Sequence, residues 1–185
     1  PTPPPALSYA VIARKASNGI MITASHNPYN WNGFKIKAPE GCSVSKKVTR
    51  DIERRIPNRY LPASLRRKQE PARIKTTDLI TPYLKNLEPF IDFEKIRASG
   101  LRFVIDAMYG AGRHCLGWLL QRHGIVYKEI RNELNPLFPG INPEPIHPHI
   151  EALSQAVVKD GYDAGFALDG DGDRIGGIDH QGNFI

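Results

Sequence analysis

The chain has 185 residues, with 25 Lys and Arg against 19 Asp and Glu, a formal charge of +6 and 41% hydrophobic residues, enough for one large or two small globular domains with a buried core. No apolar run approaches the roughly 18 residues that a membrane span requires, which excludes a transmembrane helix. The two cysteines, Cys42 and Cys115, are too few for a disulfide framework or a cysteine metal cluster, and a cytoplasmic setting is the expectation.

In chain order, residues 6–13 form an apolar, helix-like segment after a run of prolines, and residues 19–23 (Gly-Ile-Met-Ile-Thr) show a short buried-strand pattern. Turn-forming residues fill positions 25–33, and a second strand is expected at 34–37. Ser45 is placed to cap a helix whose apolar residues Val48, Ile52 and Ile56 recur on one face, ended by Pro57 and Pro62. A connector to about Lys75 follows. Thr77 or Asp78 then starts a helix with Leu79, Ile80, Tyr83, Leu84 and Leu87 as its apolar positions.

The second half has a plainer pattern. Strands are expected at 101–105, 125–130 and 164–168, with helices at 113–123 and through Ile150, Leu153 and Val157. A glycine-containing turn occupies 106–112 and a proline-rich loop occupies 135–148. The strand–helix alternation predicts a mostly parallel sheet with right-handed crossovers, and the fold class is α/β in two lobes with mixed or parallel sheets. In such sheets ligands gather at the carboxyl ends of strands, where the two most distinctive loops fall.

Charge is divided unevenly: residues 1–84 carry 15 Lys and Arg against 5 Asp and Glu, and residues 85–185 carry 10 against 14. The basic stretch from Arg50 to Lys75 includes Arg54-Arg55, Arg66-Arg67-Lys68 and Arg73. Without interleaved aromatic residues it reads as a solvated helix and loop rather than a nucleic-acid surface.

The sharpest signal is Asp169-Gly170-Asp171-Gly172-Asp173-Arg174. Three carboxylates at alternate positions repel one another unless a cation sits among them, and the intervening glycines let the backbone curl so that all three converge. Oxygen-only ligation favours Mg²⁺ or Ca²⁺ over zinc. A calcium EF-hand would need Gly at the sixth loop position and Glu at the twelfth, where Arg174 and His180 stand, so that reading fails. A haloacid-dehalogenase-like phosphatase also carries two aspartates at a strand end and would use Asp169 as its nucleophile. Asp173 stands where that family has a hydroxyl or small residue.

The second loop is Thr23-Ala24-Ser25-His26-Asn27-Pro28, followed by Asn32-Gly33-Phe34-Lys35. It offers a hydroxyl nucleophile, an adjacent imidazole and an ammonium group. A serine hydroxyl is a poor nucleophile alone and needs a base or a prior phosphate, so the loop by itself leaves a structural role open. Taken with residues 169–174, and with Phe138-Pro139-Gly140 and Asn142-Pro143-Glu144-Pro145, it closely resembles the α-D-phosphohexomutase family of phosphoglucomutases, phosphomannomutases and phosphoglucosamine mutases.

The resemblance implies a role for each matching position. Ser25 would be the phosphoserine that gives its phosphoryl group to a hexose phosphate, and Asp169, Asp171 and Asp173 would hold Mg²⁺ together with an oxygen on Ser25. His26 and Lys35 would flank the reacting centre, Lys35 in proton transfer or hydroxyl positioning, and Arg174 would contact phosphate or substrate. Asn27 would shape the loop. Residues 1–75 would be the later part of a first domain and 76–185 most of a second, from a four-domain parent. The absence of a starting Met fits that expectation, and Pro1-Thr2-Pro3-Pro4-Pro5 lacks the basic and apolar regions of a signal peptide, in keeping with a cytoplasmic setting. The implied reaction interconverts hexose 1- and 6-phosphates through a bisphosphate. Tyr29-Asn30-Trp31 leans toward glucose or mannose, with phosphoglucosamine mutase or an aspartyl phosphatase as alternatives. A chain lacking the parent's remaining domains is expected to be inactive alone.

Overall fold

The computed structural model describes residues 1–56 and 74–185. The helix-ending Pro57 and Pro62, the connector that follows, and the basic residues Arg66, Arg67, Lys68 and Arg73 lie outside the described residues. No helix among the described residues is long and apolar enough to cross a membrane.

The first lobe opens with helix α1 (Pro4–Ala13), two residues earlier than the apolar pattern alone predicts. Pro4 explains the difference: at the first helical position its missing N–H costs no hydrogen bond and its fixed φ already suits a helix. Ala6, Ala10 and Val11 are buried, and α1 lies so close to strand β1 (Gly19–Ile22) that a Cβ on Gly19 would stand 2.7 Å from Val11 Cγ2. Strand β2 (Phe34–Lys37) pairs antiparallel with β1, matching Ile20 to Ile36 and Ile22 to Phe34. The loop between them is closed at its base by the Thr23 amide donating to the Gly33 carbonyl at 2.9 Å.

Helix α2 (Lys46–Glu53) is capped as expected by Ser45, whose hydroxyl accepts from the Val48 amide at 3.5 Å. Its apolar face is not buried among the described residues: Val48 and Ile56 are exposed, and Ile52 and Ile56 line an open groove with Ile36 and Val44. Helix α3 (Ile80–Leu87) begins where Asp78 Oδ1 accepts from the Ile80 and Thr81 amides, at 2.9 and 3.2 Å. It meets α1 through the rings of Tyr9 and Tyr83, 6.2 Å apart.

A 3₁₀ turn (Glu88–Phe90) and helix α4 (Phe93–Ser99) follow, neither anticipated. Asp92 caps α4 on the Lys95 amide at 3.0 Å, and Gly100 ends it at φ +70°, a left-handed conformation that glycine reaches without strain.

The second lobe is built on a four-stranded sheet in the order β4-β3-β5-β6, formed by β3 (Phe103–Asp106), β4 (Tyr127–Ile130), β5 (Ala164–Leu168) and β6 (Ile175–Asp179). The first three strands run parallel, as the alternation with helices α5 (Cys115–Arg122) and α6 (Glu151–Asp160) requires. β6 is an unanticipated antiparallel addition, returning directly along β5.

Helices cover both faces of the sheet. Val104 packs with Ile150, Leu153 and Val157, whereas its neighbour Ile105 packs with Leu119, Leu120, Leu84 and Phe93. Both strand residues are completely buried, as expected for a central parallel strand. At the carboxyl end of β3 the buried Asp106 pairs with Arg131 just after β4, and Arg131 Nη2 also donates to the His149 carbonyl at 2.8 Å. That pair ties the carboxyl ends of β3 and β4 to each other and to the segment that leads into α6.

Candidate functional site

Residues 169–174 form the turn of the β5–β6 hairpin, with the Asp169 amide donating to the Arg174 carbonyl at 3.2 Å. Asp169 shapes this turn from within. Its Oδ1 accepts three backbone amides, from Gly172 and Asp173 at 2.9 Å and from Arg174 at 3.1 Å. The curl passes through Gly172 at φ +77°, where a side chain would be strained. One carboxylate oxygen from each of Asp169, Asp171 and Asp173 consequently lies within 4.8 Å of the other two.

Burial pushes the Asp169 carboxyl above its ordinary range, reinforced by the two neighbouring carboxylates and opposed by the backbone amides. Asp171 is 4% exposed, and its Oδ1 is buried with no hydrogen-bond partner among the described residues. A buried, unpartnered carboxylate oxygen on one of three clustered carboxylates suits a hard divalent cation.

The serine loop reaches this turn from the first lobe. Asn27 donates from its side-chain amide to the Ala24 carbonyl at 2.9 Å, tightening a turn in which Ser25 takes the left-handed conformation, φ +56°. Ser25 Oγ then accepts from Arg174 Nη2 at 3.4 Å, while Arg174 Nε donates to Asp169 Oδ2 at 3.0 Å. The backbones themselves touch here: a Cβ on Gly170 would fall 2.5 Å from the Ser25 carbonyl oxygen and 2.9 Å from Pro143 Cγ. Only glycine allows that approach.

Lys35, on β2 opposite Met21, extends its ammonium to Asp171 Oδ2 at 2.7 Å and Asp173 Oδ2 at 2.8 Å. Burial works to lower the Lys35 pKa, but the two carboxylate hydrogen bonds together outweigh it and the net shift is upward. For Asp173 burial pushes up, and the Lys35 hydrogen bond and charge carry the net shift down.

All seven sequence-derived candidates therefore gather at one junction. Ser25, Lys35, Asp169, Asp171, Asp173 and Arg174 are linked directly by hydrogen bonds. His26 stands at the edge, its Nε2 3.8 Å from Glu144 Oε1. Glu144 is also 3.8 Å from Arg174 Nη1, an involvement that its loop suggested without giving a role. Thr23 opens the serine motif but has no role assigned from the sequence: its hydroxyl donates to Asp171 Oδ2 at 2.9 Å and accepts from the Ser25 amide at 2.8 Å. Its position two residues before Ser25 was the available signal.

The family model described as phosphoglucomutase/phosphomannomutase, alpha/beta/alpha domain II, matches residues 81–182, and that for domain I of the same family matches residues 1–62. The chain belongs to the phosphoglucomutase/phosphomannomutase family. It is 34% identical over 183 residues to a phosphoglucosamine mutase of Prochlorococcus marinus, matching 99% of this chain and 40% of that protein. It is 32% identical over 185 residues to a phosphoglucomutase/phosphomannomutase of Thermococcus kodakarensis, again 99% of this chain and 40% of the relative. A Thermus thermophilus structure with the provisional name phosphomannomutase superposes with a TM-score of 0.87 at 34% identity, covering 100% of this chain and 41% of that one. The chain thus spans about 40% of the length of the relatives it matches.

Proposed function

We propose that this chain is the part of a Mg²⁺-dependent phosphohexomutase that carries the phosphoryl donor, Ser25, and the cation site, Asp169, Asp171 and Asp173. The observation that carries the reading is the convergence of a hydroxyl and three carboxylates through Arg174, which bonds Ser25 Oγ at 3.4 Å and Asp169 at 3.0 Å. Transfer begins from a phosphorylated Ser25. The Oγ–P bond breaks as a hydroxyl oxygen of the hexose phosphate takes the phosphoryl group and releases its proton, giving a sugar bisphosphate; the other phosphate then returns to Ser25.

Arg174 would hold the phosphoryl oxygens beside Ser25, and Lys35 would bring a fixed positive charge and donors to the reacting hydroxyl. Lys35, its charge held by two carboxylates, would position the hydroxyl, and His26 at the edge of the site would take up its proton. Such chemistry depends chiefly on positioning and on electrostatic stabilisation of oxygens that gain charge. When bound by the three aspartates and an oxygen on Ser25, Mg²⁺ would neutralise part of the phosphoryl charge. The unpartnered Asp171 Oδ1 supports that assignment.

An aspartyl-nucleophile phosphatase is the competing chemistry, and the geometry of Asp169 opposes it. That residue is completely buried, and three amides on Oδ1 with Arg174 on Oδ2 anchor its carboxylate within the turn instead of presenting it to an incoming phosphate ester.

Glucose or mannose phosphates are the proposed substrates, with glucosamine phosphate as the second reading because relatives carry both kinds of name. The working enzyme is taken to be longer than this chain, and the 185-residue chain alone is expected to be inactive. The test is to assay the full-length polypeptide on glucose, mannose and glucosamine 1-phosphates with and without Ser25→Ala. Wild type converts at least one and the variant converts none; retained turnover by the variant contradicts the assignment.

A further inference from the structure

Thr23 belongs to the first lobe and Asp171 to the second, yet one hydroxyl joins them. Its oxygen accepts the Ser25 amide at 2.8 Å while its proton goes to Asp171 Oδ2 at 2.9 Å. A hydroxyl has one proton to give and lone pairs to receive, so both bonds are made at once. The main chain of Thr23 is itself fixed, its amide bonded to the Gly33 carbonyl at 2.9 Å across the base of the hairpin.

Each bond has a separate consequence. The amide bond holds the backbone that turns Ser25 into its left-handed conformation, φ +56°, an arrangement that a non-glycine residue keeps only where neighbours enforce it. The bond to Asp171, together with Lys35 at 2.7 Å, fully engages Oδ2 and fixes the carboxylate plane. Oδ1 is thereby left as a buried oxygen without a partner among the described residues, available to a cation.

We infer that Thr23 is a positioning residue that sets the serine loop and the cation-binding carboxylate of Asp171 with a single hydroxyl. The inference rests on reading Asp169, Asp171 and Asp173 as a cation site. It extends that reading to a residue that touches neither the cation nor the transferred group. Partners that orient a ligand in this way typically change metal affinity about 10–100-fold when removed.

Mn²⁺ alone serves as the probe, its binding to the 185-residue chain followed by electron paramagnetic resonance. Four chains are compared: wild type, Thr23→Val, Thr23→Ser and Asp171→Asn. Wild type binds Mn²⁺ and Asp171→Asn loses it. Thr23→Val keeps the branched shape without the hydroxyl and binds at least about 10-fold more weakly. Thr23→Ser keeps the hydroxyl and restores the affinity. Amide exchange gives a second readout: the Ser25 N–H loses protection in Thr23→Val and retains it in Thr23→Ser.

If Thr23→Val binds Mn²⁺ like wild type while Asp171→Asn does not, the cation site stands and the role of Thr23 is refuted. Equal weakness of the Val and Ser variants refutes it as well, because the methyl rather than the hydroxyl would then matter. No Asp171-dependent binding in wild type overturns the cation site itself and the inference with it. Should Thr23→Val lose its cooperative melt, Thr23→Cys, similar in size and a poor hydrogen-bonder, provides the same comparison.

Discussion

Replacing Gly170 by Ala places one methyl group at the contact between the two loops. The new Cβ would lie 2.5 Å from the Ser25 carbonyl oxygen and 2.9 and 3.1 Å from Pro143 Cγ and Cβ. Ordinary contact begins at 3.4 Å, so the Ser25 backbone must retreat by about 0.9 Å. Gly170 cannot yield instead, because its amide donates to the Pro143 carbonyl and its carbonyl accepts from Ala111, both at 2.9 Å. Overpacking of this kind costs about 1–3 kcal/mol, which for a chain of this size lowers the melting temperature by about 5 °C. The functional loss is separate: a displacement near 1 Å at the proposed phosphoryl donor is expected to cost about 100-fold in rate. Circular dichroism melting of the chain and phosphoryl-transfer rates in the full-length polypeptide measure the two effects. A Gly170→Ala protein that melts and transfers phosphate like wild type would refute the close loop contact.

Two further predictions concern the second lobe. Arg131→Met leaves the fully buried Asp106 without its partner, and losing one member of a buried pair costs about 3–5 kcal/mol, so melting should fall by about 10 °C or more; an unchanged melt contradicts the tie between the strand ends. Burial, with Glu129 adding to it, pushes the Cys115 thiol up to about 11, so at pH 8 only about one molecule in a thousand carries the thiolate there. Iodoacetamide should therefore label the exposed Cys42 and spare Cys115 until the chain is denatured, whereas rapid native labelling of Cys115 would show that it is not shielded.

Much of the architecture was legible because local signals sufficed. Ser45 marks one helix start and Thr77 or Asp78 another; Ser45 caps α2, and Asp78 accepts the first amides of α3. The strand before Asp169 was visible as an apolar run with turn residues after it. β6 escaped because Ile175-Gly176-Gly177-Ile178-Asp179 has two glycines, which weaken any strand pattern, and is held instead by pairing along β5. Gly176 has its own reason to be glycine, since a Cβ there would lie 2.4 Å from the Pro145 carbonyl. α4 carried both end signals, Asp92 and Gly100, but is too short for apolar periodicity to register.

For the site, the sequence supplied the residue types but not their partners. Ser25 and Arg174 are 149 positions apart, and Thr23 and Asp171 are 148 apart. No local pattern reports that a threonine hydroxyl will meet an aspartate across a lobe junction. The fold creates the contact by aiming the β1–β2 loop at the β5–β6 turn. The charge asymmetry acquires a structural counterpart in the same place, where Lys35 of the basic lobe lies against Asp171 and Asp173 of the acidic one.

The most direct test of the proposed chemistry is to find where phosphate resides. The full-length polypeptide is treated with a hexose 1,6-bisphosphate and Mg²⁺, then digested and mapped by mass spectrometry before and after hydroxylamine. The predicted result is acid-stable phosphate on Ser25 that survives hydroxylamine and is absent from Ser25→Ala. Hydroxylamine-labile phosphate on Asp169, with Ser25 unmodified, would instead show an aspartyl nucleophile and contradict the serine as carrier.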